Sequence, residues 1–360
     1  MAVSRRLLVL TRYTRLGASS RLRTFQYAPW LEAAGFAVEY SPFFDDDYLR
    51  SLYEGGRKRS QALRCFRGRF HGLRGNAKPD VVWLEKEALP WLPWPLEVLL
   101  WPDVPVVSDH DDAVFHRYDQ HASGLVRWLL GQKVDQVMNA SALVTAGNAY
   151  LAERAVAAGA RAVEVVPTVV DLNRYAKRPP VSRNLPAVGW IGTPQTWADL
   201  GKPIHSVLLP VLRARAVHLR AIGAALTPSA GEHLQVVPWS EAAEADLIRS
   251  FDIGVMPLPD TPWTRGKCGY KLIQYMACGL PVIASPVGVN TSIVEHGVNG
   301  FLASTEEQWR DALWTLLSDP ALRHRMGQAG RRKVEAEYSL QVWGPRVAGL
   351  LMQVVENGLS

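Results

Sequence analysis

Cysteine is scarce in this 360-residue chain: only Cys65, Cys268 and Cys278 occur, and no two form a CxxC pair. An odd number at such spacing argues against a disulfide framework or a zinc site and for reduced thiols. Long hydrophobic runs are also missing. No stretch approaches the ~20 apolar residues that a spanning helix needs, and the Trp/Pro-rich stretch Trp91 to Pro105 is interrupted by Glu97, Asp103 and prolines. Arg5-Arg6 precede only Leu7-Leu8-Val9-Leu10 before Thr11-Arg12, too short for the apolar core of a secretion signal. The expected setting is cytoplasmic, at most peripheral on the inner face of the cytoplasmic membrane. Solenoid-period repeats and low-complexity tracts are absent as well. Gly189-Trp190-Ile191-Gly192 is not followed by the further glycine and acidic partner of the dinucleotide fingerprint, which argues against an NAD-dependent dehydrogenase.

What is present is core-forming material. Apolar residues make up 48% and charged residues 21%, and the length suits two domains of roughly 150–200 residues. The net charge of +6 is local: Arg50, Arg57, Lys58, Arg59, Arg64, Arg67, Arg69 and Arg74 face a single Glu54, so this segment alone contributes +7. Within it Leu63, Phe66, Phe70 and Leu73 recur at helical spacing, although Gly68 and Gly72 weaken a helix there. A basic amphipathic helix of that kind predicts contact between Arg57–Arg74 and an anionic membrane surface. A solvated face is the alternative; nucleic acid is not an expected partner, because no reader motif accompanies the arginines.

Short β-branched runs alternate with helix-like stretches throughout, the pattern of parallel sheets wrapped by helices. Strands are expected at 7–10, 37–40, 81–84, 106–108, 143–145 and 163–166, then at 187–191, 219–222, 234–237, 253–256, 282–284 and 300–302. Six against six implies an α/β chain of two doubly wound domains, residues 1–180 and 187–337. Pro167, Pro179, Pro180 and Pro186 interrupt regular structure between them, and residues 338–357 read as a terminal helix.

Open α/β sheets bind ligands in loops at the carboxyl ends of their strands. In the second half that rule selects Gly192-Thr193, Gly223 and Trp239, each just beyond a strand. It also selects the basic stretch Arg265-Gly266-Lys267-Cys268-Gly269-Tyr270-Lys271, read as a loop opening a helix, whose free amides and cations suit a phosphate or diphosphate. In the first half it selects Gly17-Ala18-Ser19-Ser20-Arg21, the pair Glu85 and Glu87, and Ser108-Asp109-His110-Asp111-Asp112. One of these carboxylates, or His110, is a candidate to accept a substrate hydroxyl's proton.

Tyr275-Met276-Ala277-Cys278-Gly279-Leu280-Pro281-Val282-Ile283-Ala284 resembles the donor-binding segment of retaining glycosyltransferases of family 4, which have the GT-B fold. The two glutamate positions of that segment hold Gly266 and Gln274 here, whereas Lys271 fits a variant of the wider superfamily with a lysine at that place. Val165-Val166-Pro167-Thr168-Val169-Val170-Asp171 is similar to the exit from the first GT-B domain. The resemblance implies two Rossmann-like domains facing each other across a cleft, with the terminal helix packing back on the first. It implies a nucleotide-sugar donor held by Gly192, Thr193, Gly223, Trp239, Arg265, Lys267, Cys268, Gly269, Tyr270, Lys271, Gln274 and Asn290. Gln274 stands where the family's ribose-binding glutamate would be, and Lys202 is a late candidate for the basic residues usual after Gly192. Gly17, Ser19, Ser20 and Arg21 would line the cleft from the first domain, with Arg21 preferred over Arg23.

The catalytic candidates are then His110, Asp109, Asp111, Glu85 and Glu87. Asp109-His110-Asp111 superficially matches the metal motif of the other large glycosyltransferase fold, but GT-B enzymes usually need no metal, and neither metal nor cofactor is expected. The implied activity is transfer of a sugar, with retention, to a lipid-linked or surface-polysaccharide acceptor. The alternatives are a nucleotide-sugar epimerase of the same fold and a non-catalytic sugar-nucleotide-binding partner of a membrane assembly.

Overall fold

A computed structural model describes residues 5–53, 59–73, 78–175, 186–199, 208–214, 217–224 and 233–358. The chain divides into two compact units. The first comprises Met1–Thr168, Gly266–Cys268 and Trp343–Ser360; the second comprises Val169–Arg265 and Gly269–Val342.

The first unit holds six parallel strands: β1 (Arg5–Tyr13), β2 (Phe36–Phe44), β3 (Val81–Glu85), β4 (Val106–His110), β5 (Leu143–Ala146) and β6 (Val163–Val165). Their order is β2-β1-β3-β4-β5-β6, with Leu7 opposite Val81 and Val82 opposite Val106. Strands covered on both faces read as unbroken apolar runs rather than alternating ones. That is why Val81-Val82-Trp83-Leu84 is buried throughout, and polarity begins only at Glu85. The order in which successive strands are added reverses between β1 and β3. The loops after those two strands therefore flank the crevice that such a switch opens.

The basic segment packs differently from the amphipathic surface helix expected there. A helix does form over Arg59–Leu73, but its apolar face is turned inward. Cys65, Phe66, Phe70 and Leu73 join the core of Phe43, Phe44, Val82 and Leu84, with Phe66 edge-on to Phe43 at 5.0 Å. Leu63 alone of the four stays in water. Arg69 is buried too, donating to the Thr11 carbonyl at 2.6 Å, and burial pulls its pKa down to about 10 against Glu85 and Glu97. Arg64 remains outside, paired with Asp45 at 2.7 Å. Arg57, Lys58 and Arg74, and the side chains of Arg50 and Arg59, lie outside the described residues. Among the described residues no helix is long and apolar enough to cross a membrane.

The second unit repeats the plan with β7 (Val188–Ile191), β8 (Leu219–Ile222), β9 (Leu234–Val237), β10 (Ile253–Met256), β11 (Val282–Ala284) and β12 (Gly300–Leu302), in the order β12-β11-β10-β7-β8-β9. All of these pairings are parallel as well. The switch here lies between β7 and β10. The helix Tyr270–Ala277 runs from Gly269, whose φ of 64° is a left-handed conformation open to glycine, to a Schellman ending. There Gly279 N–H bonds Met276 O at 2.9 Å and Leu280 N–H bonds Tyr275 O at 3.1 Å. Gly-Leu-Pro thus turns the chain straight into β11. All twelve expected strands form, six in each unit.

Candidate functional site

The second unit brings four of the selected residues together at the carboxyl ends of β7, β8 and β9. A Cβ at Gly223 (φ +72°) would strike the Gly192 carbonyl oxygen and come within 3.3 Å of Trp239 Cβ. A Cβ at Gly192 would strike the Trp190 ring and reach 3.0 Å from Lys271 Nζ. Glycine at both places lets these loops close on one another. Lys271, on the first turn of the helix Tyr270–Ala277, holds its ammonium 4.5 Å above the buried Trp190 ring, a cation–π contact. Trp239 is 39% exposed, and Thr193 lies in water beside Gly192.

The remaining cations of the basic stretch are engaged elsewhere. Arg265 grips Asp260 through Nε and a terminal nitrogen, at 2.7 and 3.0 Å. Gly266–Cys268 pack with the first unit, where Lys267 Nζ lies 3.0 Å from Asp112 Oδ1. Of the three cations expected to form a cradle, Lys271 stands beside Gly192, and Arg265 and Lys267 pair with carboxylates. Cys268 is buried and donates to the Asp111 carbonyl at 3.0 Å, and burial, with Asp111 nearby, pushes its thiol pKa up to about 12. That thiol is a packing group. Lys202 lies outside the described residues.

Two further expectations change because the side chains point inward. Gln274 is only 2% exposed and donates to the Tyr175 hydroxyl at 2.8 Å, so its amide is committed to the interior. Asn290 opens the short helix Asn290–Ile293, but its amide nitrogen donates to Ser285 O at 3.0 Å and its own N–H bonds Val287 O at 3.2 Å. Tyr270 is half-buried one residue beyond Gly269.

The first unit's carboxyl edge is a network of buried charges. Asp109 is held by Arg23 in a two-point pair at 2.6 and 2.9 Å and also accepts from Thr145 at 2.6 Å. Arg23 reaches on to the Val166 carbonyl at 2.7 Å. Burial disfavours the charge on this guanidinium, but Asp109 outweighs it and raises the pKa further. Glu87 is enclosed by Lys133 at 2.8 Å, the Tyr118 hydroxyl at 2.9 Å and Arg12 at 3.3 Å. Burial would raise its pKa; Lys133 and Arg12 prevail and lower it. Asp109 and Glu87 are thereby structural anchors, not the open carboxylates expected. Arg21 is likewise buried and turned onto the carbonyls of Arg15 and Leu16, so Arg23 is the arginine that organises this edge.

His110 is fully buried, its Nε2 3.2 Å from Ser108 Oγ. Burial, reinforced by Lys86, drops its pKa to about 3. The imidazole is neutral near pH 7 but shut away from solvent, which removes it from the proton-accepting candidates.

What stays at the rim is a smaller cluster built on Lys86. This residue follows β3 with φ 65°, a left-handed conformation for a side chain that carries a Cβ, at a strain of roughly 1–3 kcal/mol. Its ammonium lies 2.7 Å from Asp111 Oδ1, 2.8 Å from Ser19 Oγ and 3.4 Å from Glu85 Oε1. Burial opposes that charge, yet Asp111 and Glu85 raise the lysine pKa. Burial would raise the Asp111 pKa as well, but Lys86 and Arg23 lower it, so this carboxylate stays ionised. Ser19 Oγ lies 2.8 Å from Glu85 and 2.7 Å from Asp111, and Ser20 Oγ donates to Glu85 at 2.5 Å. Gly17 starts this turn because a Cβ there would strike Tyr13. Lys86 went unassigned in the sequence, although Glu-Lys-Glu directly after a buried strand was a visible signal, and Arg23 ranked behind Arg21. Among the described residues no His, Cys, Asp and Glu group is arranged to hold a metal ion.

Comparison with known proteins fits this division. Residues 198–319 match the family described as Glycosyl transferases group 1. Spore coat protein SA of Bacillus subtilis is 37% identical over 87 residues, 23% of this chain and 22% of that protein. The GDP-mannose-dependent monoacylated alpha-(1-6)-phosphatidylinositol monomannoside mannosyltransferase of Corynebacterium glutamicum is 34% identical over 113 residues, 29% of each chain. The matched stretches thus span less than a third of either relative. HepE of Anabaena, solved in complex with UDP, superposes with a TM-score of 0.69 at 16% identity, over 97% of this chain and 100% of that one. The two six-stranded parallel sheets thus form the GT-B fold, and the similarity to group 1 glycosyltransferases lies over residues 198–319, nearly all of them in the second unit.

Proposed function

We infer that this protein transfers a sugar from a nucleotide-sugar donor to a hydroxyl acceptor. The observation that carries the reading is the convergence of Gly192, Gly223, Trp239 and Lys271 on one edge of the unit that matches the glycosyltransferase family. Two glycine loops allow close backbone approach, a lysine supplies positive charge, and a half-exposed indole offers a flat apolar face. Those are the needs of a phosphate, a sugar and a base. The neighbour solved with UDP and the relative named for GDP-mannose support a nucleotide-sugar donor in general, while the base remains part of the proposal.

In the transfer the bond from the anomeric carbon to the diphosphate oxygen breaks, and one from that carbon to the acceptor oxygen forms. Negative charge gathers on the departing diphosphate, so a fixed cation beside it stabilises the transition state more than the ground state. Lys271 fills that role. The acceptor's proton passes to the departing phosphate oxygen, which gives retention without a protein nucleophile. Within the first unit, Ser19 is held between Glu85 and Asp111 and offers a hydroxyl acceptor a hydrogen-bond partner; Asp111, kept ionised, can accept. No resident metal is part of the scheme.

The acceptor is proposed to be lipid-linked or a surface polysaccharide, reached by peripheral contact of the exposed Arg64 and Arg67 with an anionic membrane. Incubation with UDP-, GDP- and ADP-sugars and a lipid-linked acceptor extract tests the reading. Glycosylated acceptor that persists in a chelator is the expected product. Release of a free epimer, or binding without product, would replace it.

A further inference from the structure

Four side chains of the second unit form one hydrogen-bond relay from the surface to the interior. Trp239 follows β9 and donates its indole N–H to Glu244 Oε2 at 2.7 Å. Glu244, itself buried, accepts the Tyr175 hydroxyl on its other oxygen at 2.5 Å. The Tyr175 oxygen in turn accepts the Gln274 amide N–H at 2.8 Å. Direction is fixed by chemistry: the indole and the amide nitrogen can only donate, and the Glu244 oxygens accept. Burial, with Tyr270 and Glu244 nearby, holds the Tyr175 pKa far above the usual phenol value, so the hydroxyl keeps its proton. A glutamate at position 274 would set a second acceptor against a hydroxyl whose proton already goes to Glu244. The relay thus accounts for glutamine there.

The outer end of the relay is the unusual part. A buried carboxylate is costly and is normally matched to a buried donor. Here one of its oxygens tethers a ring that remains 39% exposed. Little stability is gained by fixing a side chain that water already solvates. Orientation is gained, because an indole bound at its N–H edge can no longer flip or swing. Its Cβ packs on Gly223, and Gly223 closes on Gly192 beside Lys271.

Resting on the donor reading above, we propose that Glu244 is a positioning residue for the nucleoside end of the donor. It locks the Trp239 ring as a stacking surface for the base and, through Tyr175, ties that ring to Gln274. Stacking of a base on an aromatic ring tolerates any base but depends on the ring's pose.

Affinities of the full-length protein for UDP, GDP, ADP and inorganic pyrophosphate, by calorimetry, test this. The native protein should bind at least one nucleoside diphosphate more tightly than pyrophosphate. Trp239→Ala should weaken that nucleotide about tenfold or more and leave pyrophosphate unchanged. Glu244→Gln presents an amide that cannot accept from both donors in the same way, and should reproduce most of that loss. The double variant should bind no worse than Trp239→Ala, because Glu244 acts through the ring; additive losses would overturn the positioning role. Should Glu244→Gln fail to fold, Trp239→Phe keeps an aromatic face but lacks the N–H, and affinity equal to the native protein would overturn the proposal. If the native protein binds none of the three nucleotides, the donor reading itself falls; if it binds and no variant differs, only the relay falls.

Discussion

The carboxyl edges of the two sheets share a topology and differ in chemistry. In the first unit Arg12, Arg23, Lys86 and Lys133 meet Glu85, Glu87, Glu97, Asp109 and Asp111, nearly all buried. In the second the corresponding edge carries Gly192, Gly223, Trp239 and one lysine. Buried pairs add little net stability, because desolvation offsets their attraction, yet breaking one is expensive. The first edge is therefore a rigid frame that leaves Ser19 at its rim. The second carries two glycines without side chains and a part-exposed indole, and that leaves room for a ligand.

This contrast can be broken from either side. The largest effect should come from Asp109→Ala, which strands Arg23 in the interior and should lower the stability of the first unit by about 3–5 kcal/mol, read as a fall in unfolding midpoint. Next, Lys271→Ala should leave that midpoint nearly unchanged and weaken nucleoside diphosphate binding by roughly ten- to a hundredfold, the range of a hydrogen bond to a charged group. Equal binding would remove the lysine from the donor site.

A smaller effect should come from pH. The His110 pKa is about 3 when folded, below the ~6.5 of an exposed histidine. Between those values the unfolded chain binds the proton and the folded one does not. Stability should therefore fall as pH drops through this window, by up to ~1.4 kcal/mol per pH unit. His110→Asn should flatten the unfolding midpoint between pH 7 and pH 5; an unchanged slope would assign the acid loss to other groups. Least of all, Arg64→Ala should change stability by less than ~1 kcal/mol, because its pair with Asp45 lies in water.

Much of this architecture was legible in the residues. Val81-Val82-Trp83-Leu84 and Ile253-Gly254-Val255-Met256 announce buried parallel strands by composition alone. Gly192, Gly223 and Trp239 could be singled out because a residue's place after a strand is a local property. The family segment at 275–284 pointed to the same unit as the group 1 match. Side-chain partners were not legible. Arg23 and Asp109 are 86 positions apart, and nothing near either one says that they meet. Arg21 and Arg23 look equivalent in the sequence, yet each turns to a different set of acceptors. The helix Arg59–Leu73 shows the same gap: its apolar periodicity was plain, but not whether the apolar face would meet lipid or its own core.

The order of apolar and polar residues determined the twelve strands, their parallel arrangement and the loops that bear chemistry, because the run length and β-branched composition that mark a buried strand are local properties of the chain. Tertiary packing alone decided which charges became anchors and which stayed at the rim. Ionic and hydrogen-bond partners are chosen by distance in space, and desolvation then fixes whether a group such as Asp109, Gln274 or His110 can ever reach a ligand.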